Sequence, residues 1–175
     1  MVMTNVRPES DFFFDRFRAI PRHTYVIAGL TFFVLMLGGL ATPLGPWYYG
    51  LEQPPWKAPD VLFGPAWTVL FILIGFAAIK AWRGSQTSEL RLHVGLVFGL
   101  NGVLNVLWSV LFFTLERPDW ALMEVGILWL SIVSMMAVGR SRSPAVVPAL
   151  TPYLLWVSYA AALNAAVVRL NGPFG

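Results

Sequence analysis

Residues 92–115 read LHVGLVFGLNGVLNVLWSVLFFTL, a run with no Asp, Glu, Lys or Arg. A helix rising 1.5 Å per residue crosses the hydrocarbon core of a bilayer in roughly 20 residues, so this stretch is long enough to span. Four further segments share its length and character: 25–44 and 63–82 before it, 120–138 and 146–170 after it. Composition agrees, with 57% hydrophobic residues, 12% charged and a mean hydropathy of +0.66. In a soluble domain about a quarter of the residues carry charge. The reading is an all-α membrane protein, a five-transmembrane-helix bundle over residues 25–170, with a leader at 1–24 and a C-terminal tail at 171–175.

Charges place the ends of the spans. Arg7, Glu9, Asp11, Asp15, Arg16, Arg18 and Arg22 leave no uncharged stretch for a cleavable signal ahead of the first span, which must itself direct insertion. Within the leader, SDFFFDRFRAI (10–20) sets Phe13, Phe17 and Ile20 on one face after Ser10, as in an interfacial helix; an unanchored tail is the other reading. Counted by side, nine basic residues accompany the N-terminus (Arg7, Arg16, Arg18, Arg22, Lys80, Arg83, Arg91, Arg140, Arg142) and three lie opposite (Lys57, Arg117, Arg169). The asymmetry predicts a cytoplasmic N-terminus in a bacterial cell membrane. The net charge of +3 is spread over segment ends rather than gathered in a stripe, so no nucleic-acid partner is expected. Without cysteine there are no disulfides, thiolate metal sites or thiol nucleophiles.

The connections are unequal. RGSQTSE (83–89), ERPD (116–119) and GRSRSP (139–144) are tight, whereas WYYGLEQPPWKAP (47–59) is long and rich in aromatic residues and proline. Trp and Tyr at headgroup depth form interfacial belts in many membrane proteins, which is one reading of this loop. Prolines lower the entropy lost on ordering, and long ordered loops tend to be functional, which makes it a shaped cover instead.

Polar and aromatic positions inside the spans favour the cover. Asn101, Asn105 and Trp108 recur at i, i+4 and i+7 on one helical face; Tyr153, Trp156, Ala160 and Leu163 share another at i, i+3, i+7 and i+10, followed by Asn164; Trp67 and Phe71 stand four apart. Asn residues also serve as glue between helices. Together these faces can line an aromatic pocket with a few amides and no fixed charge, suited to a large, flat, mostly apolar ligand. Gly95 and Gly99 form a GxxxG pair, read as a homodimer contact or as packing within the bundle. Glu124, about one turn into the fourth span, is read as a structural or interfacial carboxylate, hydrated or bonded to a neighbouring helix; His23 and His93 have no second histidine or carboxylate at ligand spacing, so no metal site is expected, and no nucleophile, base and orienter fall together.

WYYGLEQPPWKAP followed by FGPAWTVLF, LNVLWSVLFF, DWALME and PYLLWVSYAAALN resembles the TspO/MBR family in order and spacing over about 140 residues. The resemblance implies a five-helix bundle binding porphyrins, and in some members sterols or synthetic isoquinoline and benzodiazepine ligands, under the first loop. It implies Trp67 and Trp156 as pocket tryptophans, Asn105 as a polar contact, Ala160 and Leu163 on the far wall, and Trp47, Tyr48 and Trp56 in a lid. Porphyrin, or haem, is then a ligand rather than a required cofactor. Two implied functions stay open: a porphyrin-binding protein for transport, buffering or sensing, and an enzyme degrading porphyrin under light and oxygen with Trp67 and Trp156 as catalytic electron partners. Phe71 stands where members commonly have Tyr, which removes a hydroxyl. LNAAVVR (163–169) lacks the tyrosine of the family's cholesterol motif, which argues against sterol binding through it.

Overall fold

The computed structural model describes residues 20–174, so the leader reading over 10–20 lies almost wholly outside the described residues. Five long helices carry the chain: α1 (Arg22–Leu40), α3 (Phe63–Gly84), α4 (Ser88–Ser109), α5 (Pro118–Arg140) and α6 (Val146–Asn171). Each is long and apolar enough to cross a membrane, α3 with the 3-10 turn Asp60–Leu62 before it and α4 with the π-turn Val110–Thr114 after it. A single turn, α2 (Pro46–Gly50), lies in the first loop. No strand occurs among the described residues.

Helix ends follow local chemistry. α1 stops at Leu40 rather than running to 44, because Pro43 disfavours the helical region for Thr42, whose Oγ1 turns back to donate to the Gly38 carbonyl at 2.7 Å. Pro65 falls in the first turn of α3, where its missing N–H has no intrahelical partner to lose. Thr87 caps α4, accepting from Leu90 N–H at 3.2 Å, and Pro118 opens α5. Gly139 lies so close to the Val146 side chain that no Cβ fits there, which lets the turn between α5 and α6 close tightly.

The core belongs to α3–α6. Leu70, Ala77, Ala81, Val94, Leu128, Ile132, Met135, Leu150, Tyr153 and Val157 form one buried cluster, and small residues on α3 allow close approach. α1 contributes no buried residue and leans on α3 and α4 with a groove on either flank. A chain of hydrogen bonds crosses the core: Asn105 Nδ2 donates to Tyr153 Oη (3.2 Å), Tyr153 Oη to Asn101 Oδ1 (3.3 Å), Asn101 Nδ2 to Ser131 Oγ (2.8 Å), and Ser131 Oγ to the Leu128 carbonyl (2.6 Å). It ties α4, α5 and α6 together through buried side chains. The π-turn, closed by Leu115 N–H to the Val110 carbonyl at 2.8 Å, ends at Glu116 in the left-handed region with φ 55°.

Candidate functional site

At the loop end of the bundle a cavity of about 290 Å³ opens between α1, α3, α4 and α6, with the first loop over it. The end of α1 lines it with Gly38 and Gly39, which leave space where larger residues would add side-chain bulk. Trp67 and Trp156 meet edge to face with ring centroids 6.5 Å apart. Trp108, Phe112 and Phe113 make the opposing aromatic wall, with Trp108 and Phe112 rings 5.3 Å apart. The two phenylalanines are consecutive and both line the cavity in the wide π-turn that carries them. π-turns commonly mark functional positions.

The cavity is apolar but carries unused polar atoms. Gln53 Nε2, Trp108 Nε1, Trp156 Nε1 and Asn164 Oδ1 are buried, find no partner among the described residues, and all belong to lining residues. Asn164 is wholly buried, and its Nδ2 donates to the Pro118 carbonyl at 2.7 Å, which fixes the amide and leaves the oxygen free. Buried polar groups are nearly always satisfied, so three donors and one acceptor without a protein partner among lining residues set this cavity apart from the apolar packing around it.

The loop is held at several points. Tyr48 is buried, lines the cavity and donates from Oη to Asp60 Oδ1 at 2.7 Å; Lys57 Nζ lies 2.6 Å from the same oxygen and 5.0 Å above the Tyr48 ring. Burial pushes the Tyr48 phenol above its ordinary value, against the opposing pull of Lys57, and so keeps it a donor. Ala58 N–H donates to Tyr159 Oη at 2.7 Å. Asn171, the last residue of α6, grips Glu52 from both sides: Glu52 N–H donates to Oδ1 at 2.7 Å and Nδ2 donates to the Glu52 carbonyl at 2.9 Å.

Of the residues singled out from the sequence, Trp67, Trp108, Trp156, Ala160 and Leu163 line this cavity. Phe71, Asn101, Asn105 and Tyr153 do not; the last three are spent on the hydrogen-bond chain, and Phe71 packs against Trp67 with ring centroids 6.0 Å apart. In the loop, Tyr48 lines the cavity, Trp47 stands behind it on the Phe112 ring at 6.1 Å, and Trp56 is 50% exposed, edge-on to Tyr159 at 5.9 Å. Sequence reasoning missed the end of α1, the loop groups Gln53 and Asp60, and Phe112 with Phe113; it left Val167 off the fifth-span stripe and gave Asn164, which follows that stripe, no part in the site. The last two were within reach, since 160, 163, 164 and 167 continue one helical stripe. Asn171 was assigned to the tail, and nothing in its neighbourhood signals a contact so distant in the chain. Glu124 is buried, with both oxygens unpartnered among the described residues, and lies outside this cavity.

The TspO/MBR family matches residues 26–170. A Tryptophan-rich protein TspO of Chlorobaculum tepidum is 40% identical over 147 residues, 82% of this chain and 92% of that protein. A second of that name from Archaeoglobus fulgidus is 38% identical over 125 residues, 71% of this chain and 80% of its own length. The human Translocator protein is 30% identical over 127 residues, covering 71% of this chain and 75% of that one. With the helix order, the tryptophan-lined cavity and a match over nearly all the described bundle, the chain belongs to the TspO/MBR family.

Proposed function

We propose that the loop-capped cavity binds a porphyrin and that the protein transports, buffers or senses it in a bacterial cell membrane, with the N-terminus cytoplasmic. The observation that carries this reading is the set of unused donors, Gln53 Nε2, Trp108 Nε1 and Trp156 Nε1, inside an otherwise aromatic enclosure. A flat macrocycle offers faces for edge and offset contact with Trp67, Trp108 and Trp156, and its carboxylate arms accept the indole and amide N–H groups. The lining residues include no His, Met or Cys, and the one phenol, Tyr48, is engaged with Asp60. Iron therefore has no ready axial ligand, which favours a metal-free ring over haem.

A second reading, light- and oxygen-dependent breakdown of the bound ring, is favoured by one observation. Trp67 and Trp156, both oxidisable, stand in edge contact in the cavity wall. Titration of the purified protein with protoporphyrin IX in the dark tests binding. A saturable shift of the Soret band is expected, and its absence would refute the proposal. Illumination of the same sample in air separates the readings: a stable Soret band leaves transport, buffering or sensing, and conversion to bilin-like absorption selects breakdown.

A further inference from the structure

A second and larger cavity, about 430 Å³, lies at the other end of the bundle between α1, α3 and α4. It runs along α1 from His23 to Val34 and along α3 from Trp82 back to Phe71, eleven helical steps on each. At helical rise that is about 16 Å, close to half the roughly 30 Å hydrocarbon core, so the groove has the length of one leaflet. Its floor is open because α4 presents Gly99, where a Cβ would meet nothing within 4 Å, and Gly102, where it would come to 3.2 Å from Val34. The groove's deep end, at Phe71 and Val34, is apolar save for Asn101, whose amide is already bonded.

The shallow end differs. His23 Nε2 is buried there with no partner among the described residues. Beside it stand Arg22, exposed, and Arg83, whose Nη2 donates to Thr24 Oγ1 at 3.0 Å and is thereby held at the start of α1. Among the described residues this end of the bundle carries six basic side chains (Arg22, Lys80, Arg83, Arg91, Arg140, Arg142) against one acidic, Glu89. The groove thus opens at the cationic end of the bundle, with His23 in its lining and Arg83 held next to it on Thr24, and is largely apolar for one acyl length below.

We infer that this groove is a binding site for one anionic phospholipid of the surrounding leaflet, its phosphate on Arg22, Arg83 and His23 and one acyl chain laid along the glycines of α4. An acyl chain gains little by leaving bilayer for an apolar groove, so selectivity must come from the headgroup. Basic groups at the membrane surface supply it. Gly95 and Gly99, where a second copy of the chain is the competing occupant, line this same groove.

The test uses the full chain carried from nanodiscs of equal phosphatidylglycerol and phosphatidylcholine into native mass spectrometry. One retained phosphatidylglycerol is expected in preference to phosphatidylcholine. R22Q and R83Q should each weaken retention about fivefold, and G99L, which fills the open floor, should abolish it. A phosphatidylglycerol with a photoreactive acyl chain should crosslink to Val26 and Phe98 of the groove. Equal retention of the two lipids, or crosslinks scattered around the bundle exterior, would overturn the inference. So would a dimer that dissociates in G99L while phosphatidylglycerol retention is unchanged, since the groove would then belong to a second copy. The arginine variants lie on the surface and keep the test decisive if G99L does not fold.

Discussion

Asn171 holds the Glu52 backbone by a donor and an acceptor at once, so a single amide at the end of α6 anchors a loop 119 positions earlier. Asn171→Ala should release that anchor. With about 1 kcal/mol for the net contribution of such bonds, the porphyrin off-rate should rise about fivefold while the on-rate stays nearly constant. Stopped-flow release of protoporphyrin IX measures it, and an unchanged off-rate would mean that the loop does not retain the ligand. Tyr153 shows the other side of residue-scale reasoning. Asn101, Asn105 and Trp108 do share a face as their spacing requires, but seven helical steps take the chain from Asn101 to Trp108, so the amides lie deep in the core and only the indole reaches the cavity. Periodicity reveals a face and not a depth. Tyr153→Phe should strip partners from both amides and lower stability by about 1 kcal/mol, given the modest worth of hydrogen bonds between membrane helices. Thermal unfolding in detergent checks this, and dark porphyrin affinity should move less than stability does.

Among the elements, the spans were legible because apolar length is a direct consequence of bilayer thickness, and the pocket tryptophans were legible through their motifs. The early end of α1 was written in Thr42 and Pro43, and a strict reading of proline would have found it. The π-turn at Val110–Thr114 was not, because VLFFT contains no glycine or proline and reads as uninterrupted helix. Its contribution to the cavity, two adjacent phenylalanines, was lost with it. The first loop owes part of its shape to Pro54, which is buried and whose carbonyl accepts from Lys57 N–H at 3.0 Å, and to Pro55 beside it. Replacing both with glycine should enlarge the set of open loop conformations and weaken porphyrin binding by about 1 kcal/mol or somewhat more. Equal affinity and equal off-rates in the double variant would leave the loop as an interfacial belt.

For the whole molecule, the proposed orientation rests on the charge asymmetry. The chain has no cysteine, so single substitutions report topology without background. Gln86→Cys, in the turn after α3, should resist a membrane-impermeant maleimide applied to intact cells, and Glu52→Cys should react. The reverse pattern would invert the proposed topology. What the sequence could not convey at this scale is how unevenly the five spans share the core: every span is apolar, and apolar residues facing lipid look the same as those facing a neighbour.

That uneven sharing has a consequence for biogenesis. α1 leaves the ribosome ahead of the other described spans, yet the helices it leans on, α3 and α4, are made after it, and none of its residues is fully buried against them. A lone helix is tolerated in lipid because its backbone is satisfied internally, so α1 can wait in the bilayer until the α3–α6 core has closed. On that order the first described helix to be synthesised would be the last to dock, along the flanks where the grooves lie. Leu35→Ala, on the face of α1 that packs against the core, should accordingly loosen α1 while shifting the unfolding of the α3–α6 core by no more than about 1 kcal/mol. Thermal unfolding followed by far-ultraviolet circular dichroism reports the core, and a spin label on α1 reports the docking.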